Sequence, residues 1–183
     1  MHCLFLGIAK WIVKRLWVDH EKLTTSQLKQ IQKKMSEIQV PSDIGRIPRK
    51  VDCGEGFANF TADEWKTFIL IYATPCLWDY LSTPDQRIFT NFVHICTILV
   101  CRIIDITVLE EAHNRFILLI KQIEEEYGKK YITPNLHLAL HINQCCLDYR
   151  PLYAFWCFSF EQMNSYFSSL SNSHRQIEPE LIR

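Results

Sequence analysis

The sequence predicts a mainly α-helical protein, and three observations support that class. Apolar residues recur at helical spacing, most of the expected helices begin at a capping residue, and no stretch shows a convincing strand-like alternation. Of the 183 residues, 48% are hydrophobic and 22% are charged, which is the composition of a folded globular protein. We therefore expect one domain over residues 1–183, built from about eight helices with little or no sheet.

Charge and length limit the classes of partner. Twenty basic residues balance twenty acidic ones, so contact with nucleic acid depends on a local patch, and the dense basic clusters lie at residues 10–15 and 46–50. The longest uncharged apolar run, residues 88–101, is shorter than the roughly 18 residues that a membrane-spanning helix needs. The N-terminus lacks the charge order of a secretory signal, so we expect an intracellular protein without a membrane span.

Residues 1–40 are expected to form two N-terminal helices. The first, over residues 3–18, has apolar residues on one side and basic residues on the other. The second runs from Thr24 or Thr25 to about residue 39 and has a single apolar seam. Residues 41–60 contain three glycines and two prolines without any period, so we interpret them as an ordered but irregular connection that is either functional or packed by its own aromatic residues.

Residues 61–147 are the expected helical core. Thr61 and Glu64 have the spacing of a capping box, in which each side chain bonds a backbone amide at the helix start. Pro75 is expected to interrupt the helix that follows, because proline lacks an amide hydrogen and clashes with the preceding turn. The other expected boundaries are caps at Thr83 and Thr107, and helix ends near Asp105 and at Gly128.

The last helix of this core contains two histidines. Thr133 and Pro134 begin it, and His137, His141 and Cys145 then follow four residues apart along one ridge. Apolar residues fill the remaining arc, so we expect a buried helix. Two interpretations of the histidines stay open: core side chains satisfied by hydrogen bonds, or zinc ligands with Cys145 available as a third. The other cysteines lie within apolar patterns and are interpreted mostly as small buried side chains.

Residues 148–183 combine an aromatic segment with a helix expected from about Ser159 to Leu170. Glu161 lies near the start of that helix, directly after a run of aromatic side chains. A carboxylate in such surroundings is either paired or functional. The alternatives are therefore a metal ligand and a first-turn glutamate that the helix dipole stabilises.

Five blocks, taken in their order along the chain, resemble one family. They look like successive parts of the transposase domain of CACTA-like and Kyakuja-Dileera-Zisupton-like DNA transposons, especially fungal copies. The resemblance covers nearly the whole chain, and the order of the blocks makes it specific. The blocks are Met1–Gly7, Gly45–Pro48 followed by Phe60–Lys66, Pro134–His141, Arg150–Asn164 and Ile177–Leu181.

This resemblance implies a ribonuclease-H-like, cut-and-paste DDE transposase in which three acidic residues hold two magnesium or manganese ions. Glu161 matches the last acid, which the family carries on a helix after an all-helical insertion. His137 and His141 match a histidine pair that is associated with zinc together with a Cys-x-x-Cys pair, and this chain contains no Cys-x-x-Cys. The implied partners are the DNA of transposon ends and further copies of the chain, in the nucleus.

The resemblance also sets an expectation about activity. In the family an aspartate precedes the Met-His block as Asp-x-Met-His, and another lies on an earlier strand, whereas this sequence starts at Met1. We therefore expect the C-terminal part of a transposase domain, with its strands largely missing, that does not cut or join DNA by itself. The alternative is a non-catalytic helical module reused to bind protein or DNA. Arg46, Arg49 and Lys50 are the candidate contacts with DNA phosphates.

Overall fold

The computed structural model describes residues 2–41, 44, 48, 51, 57, 60–149, 151–155, 163, 164 and 166. This part of the chain is mainly helical and contains no strand, which confirms the predicted class. None of the helices in these ranges is long and apolar enough to cross a membrane.

The described residues form eight helical elements. α1 comprises two π-helical segments, Cys3–Ala9 and Trp11–Val18, joined at Lys10, and α2 is Thr25–Glu37. α3 runs through Ala62–Thr67, a π-helical stretch Phe68–Tyr72 and Ala73–Leu77, and a 3₁₀ turn, Trp78–Tyr80, follows it. α4 is Thr83–Leu99, α5 is Ile106–Tyr127 with a 3₁₀ turn Lys129–Tyr131 after it, α6 is Pro134–Ala139, α7 is Ile142–Tyr149 and α8 is Leu152–Phe155.

The antiparallel pair of α4 and α5 is the most extensive helix contact in this part of the chain. α3 lies against α4 through its π-helical stretch, and α2 packs on the last segment of α3. The first segment of α1 contacts both the start of α3 and the short helix α6. α1 therefore connects the beginning of the chain with residues more than a hundred positions later.

Two different spacings of buried residues explain the two kinds of helix. On α5 the buried residues follow alternate steps of three and four, which keeps them on one side of an α-helix of 3.6 residues per turn. Helical spacing predicts that Leu109, Phe116, Leu119, Ile120 and Ile123 face inward. Four of these five residues are buried, and Ile120 is half-buried. The buried residues of α5 are Leu109, Ala112, Phe116, Leu119 and Ile123.

On α1 the buried residues come instead as adjacent pairs that repeat every four residues. Four residues of an α-helix turn through about 40° more than one full turn, so such a repeat would drift around its surface. A π-helix has more residues in each turn, and this wider winding keeps the pairs on one side. The pairs are Leu4 with Phe5, Ile8 with Ala9, Ile12 with Val13, and Leu16 with Trp17.

α3 has the same four-residue repeat, and it corrects the expectation for Pro75. The buried pairs Phe68 with Ile69 and Tyr72 with Ala73 are followed beyond the proline by the buried pair Cys76 with Leu77, and Pro75 lies within the helical segment Ala73–Leu77. The prediction of an interruption was wrong because the π-helical turn directly before Pro75 spaces its carbonyls differently from the α-helical ladder. That spacing accommodates a residue without an amide hydrogen.

Several helix boundaries agree with the sequence. Thr61 and Glu64 form the predicted capping box, since the Thr61 amide donates to Glu64 Oε2 at 2.8 Å and the Glu64 amide donates to Thr61 Oγ1 at 3.3 Å. Gly128 ends α5 with a φ of 89°, which a residue without a Cβ adopts at little cost. Thr133 caps α6 by accepting a hydrogen bond from the amide of Leu136.

Three boundaries differ from the prediction. Ser82, rather than Thr83, caps α4, and that helix ends at Leu99 instead of near Asp105. Asp105 caps α5, because its carboxylate accepts hydrogen bonds from both the amide of Thr107 at 2.9 Å and its hydroxyl at 2.7 Å. At both of these N-terminal caps a neighbouring side chain has the same capping chemistry, and the tertiary arrangement selects one of them.

Three described residues of the connection between α2 and α3 confirm its predicted packing. Val51, Phe57 and Phe60 are buried. The Phe57 ring lies 5.1 Å from the Phe68 ring and 5.7 Å from the Trp65 ring, measured between centroids. Aromatic pairs at this separation add attraction beyond the apolar area that they bury.

The carboxylate of Asp85 joins four parts of the fold. Asp85 is 0% exposed, and it accepts hydrogen bonds from Trp17 Nε1 at 3.0 Å, Lys22 Nζ at 2.8 Å, Ser82 Oγ at 2.6 Å and the Tyr127 hydroxyl. These donors come from the end of α1, the loop after it, the cap of α4 and the end of α5. Because a carboxylate has about four acceptor positions, its hydrogen bonding is complete.

The hydrogen bonds also decide the charge state of Asp85. Burial raises the pKa of its carboxyl group, but the hydrogen bonds from Lys22, Ser82, Tyr127 and Trp17 outweigh burial and hold the pKa below its ordinary value. Burial and the neighbouring Asp85 carboxylate raise the pKa of Tyr127, so that phenol remains a donor. The sequence indicated only an acidic residue in a first helical turn, and these contacts show a buried ion pair.

We predict that Asp85→Asn lowers the free energy of unfolding at pH 7 by about 2–3 kcal/mol, because Lys22 loses its buried counter-charge. Breaking a buried ion pair usually costs about 3–5 kcal/mol. We expect a smaller loss here because the Lys22 side chain is 29% exposed. Urea denaturation of both proteins measures the difference. Asp79→Asn is the control, because the Asp79 carboxylate is 70% exposed in its pair with Lys34 and should contribute well under about 1 kcal/mol.

The same pair predicts a pH dependence. The folded pKa of Asp85 lies below that of an unfolded aspartate, so its contribution is complete above about pH 4 and is lost as the pH falls through the folded value. The stability difference between the parent and Asp85→Asn should therefore shrink between pH 5 and pH 2, a range chosen around the unfolded pKa of about 4. An equal difference at both ends of this range would contradict the ion pair.

Candidate functional site

Three of the sequence blocks singled out above meet at the first segment of α1. The segment Cys3–Ala9, most of which belongs to the first block, contacts α6, which begins the block at residues 134–141, and also the start of α3 in the block at residues 60–66. Cys3 Sγ donates a hydrogen bond to the backbone carbonyl of Asn135 at 3.3 Å. Segments about 60 and 130 positions away in the sequence are therefore adjacent in space.

Gly7 allows α1 and α6 to approach each other. A Cβ atom built at Gly7 would lie 2.7 Å from Asn135 Nδ2 and 3.1 Å from Asn135 Cγ, which is closer than real Cβ contacts. Any larger residue at position 7 would have to displace the Asn135 side chain. The close approach explains why a glycine occurs inside a helix, where it normally costs about 1 kcal/mol relative to alanine.

A basic groove lies where α1 and the start of α6 approach. Its volume is about 350 Å³, and we call it the Lys10 groove. It contains three cationic side chains and one carboxylate, that of Asp19, which accepts a hydrogen bond from Arg15 at 3.1 Å. Its local charge is therefore positive, although the chain as a whole is neutral. The lining residues are Leu6, Gly7, Lys10, Trp11, Lys14, Arg15, Asp19, Thr133 and Asn135.

The basic side chains of this groove follow from the pattern of α1. The buried pairs occupy one side of the helix, so Lys10, Lys14 and Arg15 come to its other side. The sequence showed this basic cluster but not a groove, because α6 supplies the opposite wall. The position of the cluster on the polar side of an amphipathic helix was visible in the sequence, but the segment that lies opposite it was not.

His137 and His141 are adjacent, but both are exposed. Their ring centroids lie 5.3 Å apart with the rings nearly perpendicular. The predicted burial of this helix was wrong because the core covers only one side of the short helix α6, through Leu136 and Ala139. Helical spacing places Leu147 on one ridge with Leu136, next to the ridge of the histidines. Leu136 is buried as expected, but Leu147 is 50% exposed.

The predicted single helix through both histidines and Cys145 is divided into α6 and α7. At the division the amides of Leu140 and His141 bond carbonyls three residues earlier, which winds the chain more tightly than an α-helix. Cys145 is half-buried. Within the described ranges no three His, Cys, Asp or Glu side chains form a group that could hold a metal ion. A closed structural zinc site needs four ligands, so the described residues do not fit one.

Several predicted site residues lie outside the described residues. They are Glu161, the candidate catalytic and metal-binding acid, and Arg46, Arg49 and Lys50, the candidate DNA contacts. Most of the aromatic segment before Glu161 is also outside. Their predicted roles stay predictions.

The carboxylates near the meeting point of the blocks have structural roles. Asp63 accepts a hydrogen bond from Lys66 at 2.6 Å, and Glu64 completes the capping box of Thr61. Asp85 lies elsewhere in the fold, and its carboxylate accepts hydrogen bonds from four side-chain donors. These acids act in helix starts and ion pairs.

No model of a protein family, no curated protein and no solved structure matches this chain. The geometry of the described residues therefore carries the functional argument.

We predict that the stability effect of Gly7→Ala depends on Asn135. In the parent the substitution should give no stabilisation, because the new methyl group displaces the Asn135 side chain. In an Asn135→Ala background it should stabilise by about 0.5–1 kcal/mol, the usual gain of alanine over glycine within a helix. A double-mutant cycle from urea denaturation measures the coupling. Equal effects in both backgrounds would disprove the contact.

We predict that the purified chain retains less than one zinc ion per molecule after gel filtration, because two exposed imidazoles hold zinc more weakly than a closed set of four ligands. Elemental analysis gives the stoichiometry. One zinc per chain that disappears in His137→Ala would instead show that further ligands complete the site. Lys129→Ala is a control for an exposed substitution away from the histidines.

Proposed function

We propose that this chain is a transposase-derived DNA-binding protein that holds the phosphate backbone of duplex DNA in the Lys10 groove. The observation that carries the proposal is that blocks resembling a transposase domain converge at this groove and that its wall supplies three cations. The ribonuclease-H-like class and a nuclear location are parts of the same proposal, and they rest on the resemblance.

The composition of the groove suits a phosphate backbone. Lysine and arginine neutralise phosphates and release counterions, which provides most of the affinity of a protein that does not select a sequence. Asn135 and Thr133, at the opposite wall, supply the neutral polar groups that commonly contact phosphate and sugar. Trp11 adds an indole ring beside the cations. This arrangement favours binding that depends on charge.

The proposal separates DNA binding from DNA cleavage. In the family, Mg²⁺ or Mn²⁺ would activate the attacking oxygen and neutralise charge on the leaving oxygen, and Glu161 is the residue here that matches such a ligand. Two ions need several carboxylates. Asp63, Glu64 and Asp85 are engaged in caps and ion pairs. We therefore propose that these 183 residues bind DNA without cutting it, which is the reused, non-catalytic alternative.

We predict that Lys10→Ala/Lys14→Ala weakens binding to duplex DNA and makes its dependence on salt less steep. The slope of log K against log salt concentration should fall by about two, since each phosphate contact contributes about 0.9. Fluorescence anisotropy with a labelled duplex, repeated at several salt concentrations, provides the measurement.

Lys29→Ala/Lys33→Ala is the matched control, because it removes the same charge from the exposed side of α2. The control should keep the parental slope. Equal losses in both double variants would show that binding depends on net charge alone, and the Lys10 groove would then not be the DNA site.

Supercoiled plasmid with manganese tests the second part of the proposal. The parent and Glu161→Gln should both leave the plasmid intact. Nicking by the parent that Glu161→Gln abolishes would show that a working metal site assembles from this chain, and the non-catalytic proposal would be wrong.

A further inference from the structure

Trp78 lines two cavities along the exposed side of α4. Its side chain is 40% exposed, an unusual position for so large an apolar group. One is a mainly apolar cavity of about 430 Å³, whose lining includes Phe89 and Val93. The other is a more polar cavity of about 230 Å³, whose lining includes Arg87 and Gln122. One indole ring therefore borders both an apolar and a polar space.

The local charge around these cavities is positive. Arg87 is exposed and makes no ion pair or hydrogen bond with the described residues, and neither lining contains an acidic side chain. Two acids close to the cavities are already neutralised. Asp79 pairs with Lys34 at 2.9 Å, and Glu111 pairs with Arg115 at 2.8 Å. Arg87 is thus available to an anionic ligand.

The polar cavity also offers hydrogen-bond donors in fixed positions. Asn91 donates to Gln122 Oε1 at 2.9 Å and accepts from Arg115 at 3.1 Å, which orients the Gln122 amide. Gln86 Nε2 donates to the backbone carbonyl of Trp78 at 3.0 Å and holds the 3₁₀ turn against α4. The indole ring and the amide groups are therefore held by the packed helices α4 and α5.

We propose that this face binds an unpaired nucleotide, with its base stacked on Trp78 and its phosphate paired with Arg87. A planar ring that carries an anion fits the combination of an exposed indole, an apolar floor and an unpaired guanidinium group. Base stacking on aromatic side chains tolerates every base, because every base has a π-face. Gln122 lines the same cavity as Trp78 and Arg87, and its amide supplies a hydrogen-bonding group for the edge of the ring. This site is separate from the Lys10 groove and does not depend on it.

Binding of single-stranded DNA tests the proposal. The probes are a fluorescein-labelled single strand of twelve thymidines and a labelled duplex, both measured by anisotropy with the full chain. Trp78→Ala should weaken binding of the single strand by about tenfold, which lies in the low-to-middle part of the range for loss of one stacked base. The same substitution should leave duplex binding unchanged. Trp78→Phe should retain most of the affinity, because phenylalanine still stacks. Arg87→Ala should weaken binding, with Lys29→Ala as the charge control.

Competition with thymidine monophosphate shows whether the ligand is a free nucleotide or a nucleotide within a DNA strand. Displacement that Trp78→Ala prevents would show that a free nucleotide is sufficient, and a lack of displacement would show that the strand is required. Thermal melting by circular dichroism confirms that each variant is folded, and Trp78→Phe keeps the test valid if Trp78→Ala is unstable. Parental affinity of both Trp78→Ala and Arg87→Ala for the single strand, or equal losses on single strand and duplex, would overturn the proposal.

Discussion

The buried carboxylate of Asp85 is the interaction on which the arrangement of the helices depends. A charge without exposure to water is tolerated only when its partners compensate it fully, and here the partners come from the end of α1, the loop that follows, the start of α4 and the end of α5. Any shift of one of these elements would leave a charge or a donor unpaired. The contact therefore fixes where α1 ends relative to the α4 and α5 pair.

α1 is held at both of its ends. Trp17 bonds Asp85 at one end, and Cys3 and Gly7 lie against Asn135 at the other. Its π-helical winding keeps the paired apolar residues on one side over this whole length, because their four-residue repeat would drift on an α-helix. Because the apolar pairs fill the buried side of α1, its basic side chains lie on the other side, where they line the Lys10 groove.

The two proposed surfaces differ in chemistry. The Lys10 groove presents several cations between two helices, which suits a duplex backbone, whereas the face around Trp78 presents one indole ring and one unpaired guanidinium group, which suits a single base with its phosphate. The described acids near the first surface either complete a helix cap or pair with lysine or arginine. Both proposals therefore concern binding, and chemistry would depend on Glu161.

The sequence by itself determined the helical class, the capping box of Thr61 and Glu64, the end of α5 at Gly128 and most of the inward face of α5, because these depend on local spacing and on hydrogen bonds within one turn. The four-residue repeat of α1 and α3 is also present in the sequence, whereas the expected interruption at Pro75 followed from the general chemistry of proline and was wrong. Only the tertiary structure decided that Asp85 is a buried ion pair, that His137 and His141 are exposed, and that Lys10 faces Asn135. Each of these depends on residues tens to more than a hundred positions apart, and a periodic pattern shows which side of a helix is apolar but not which distant segment covers it.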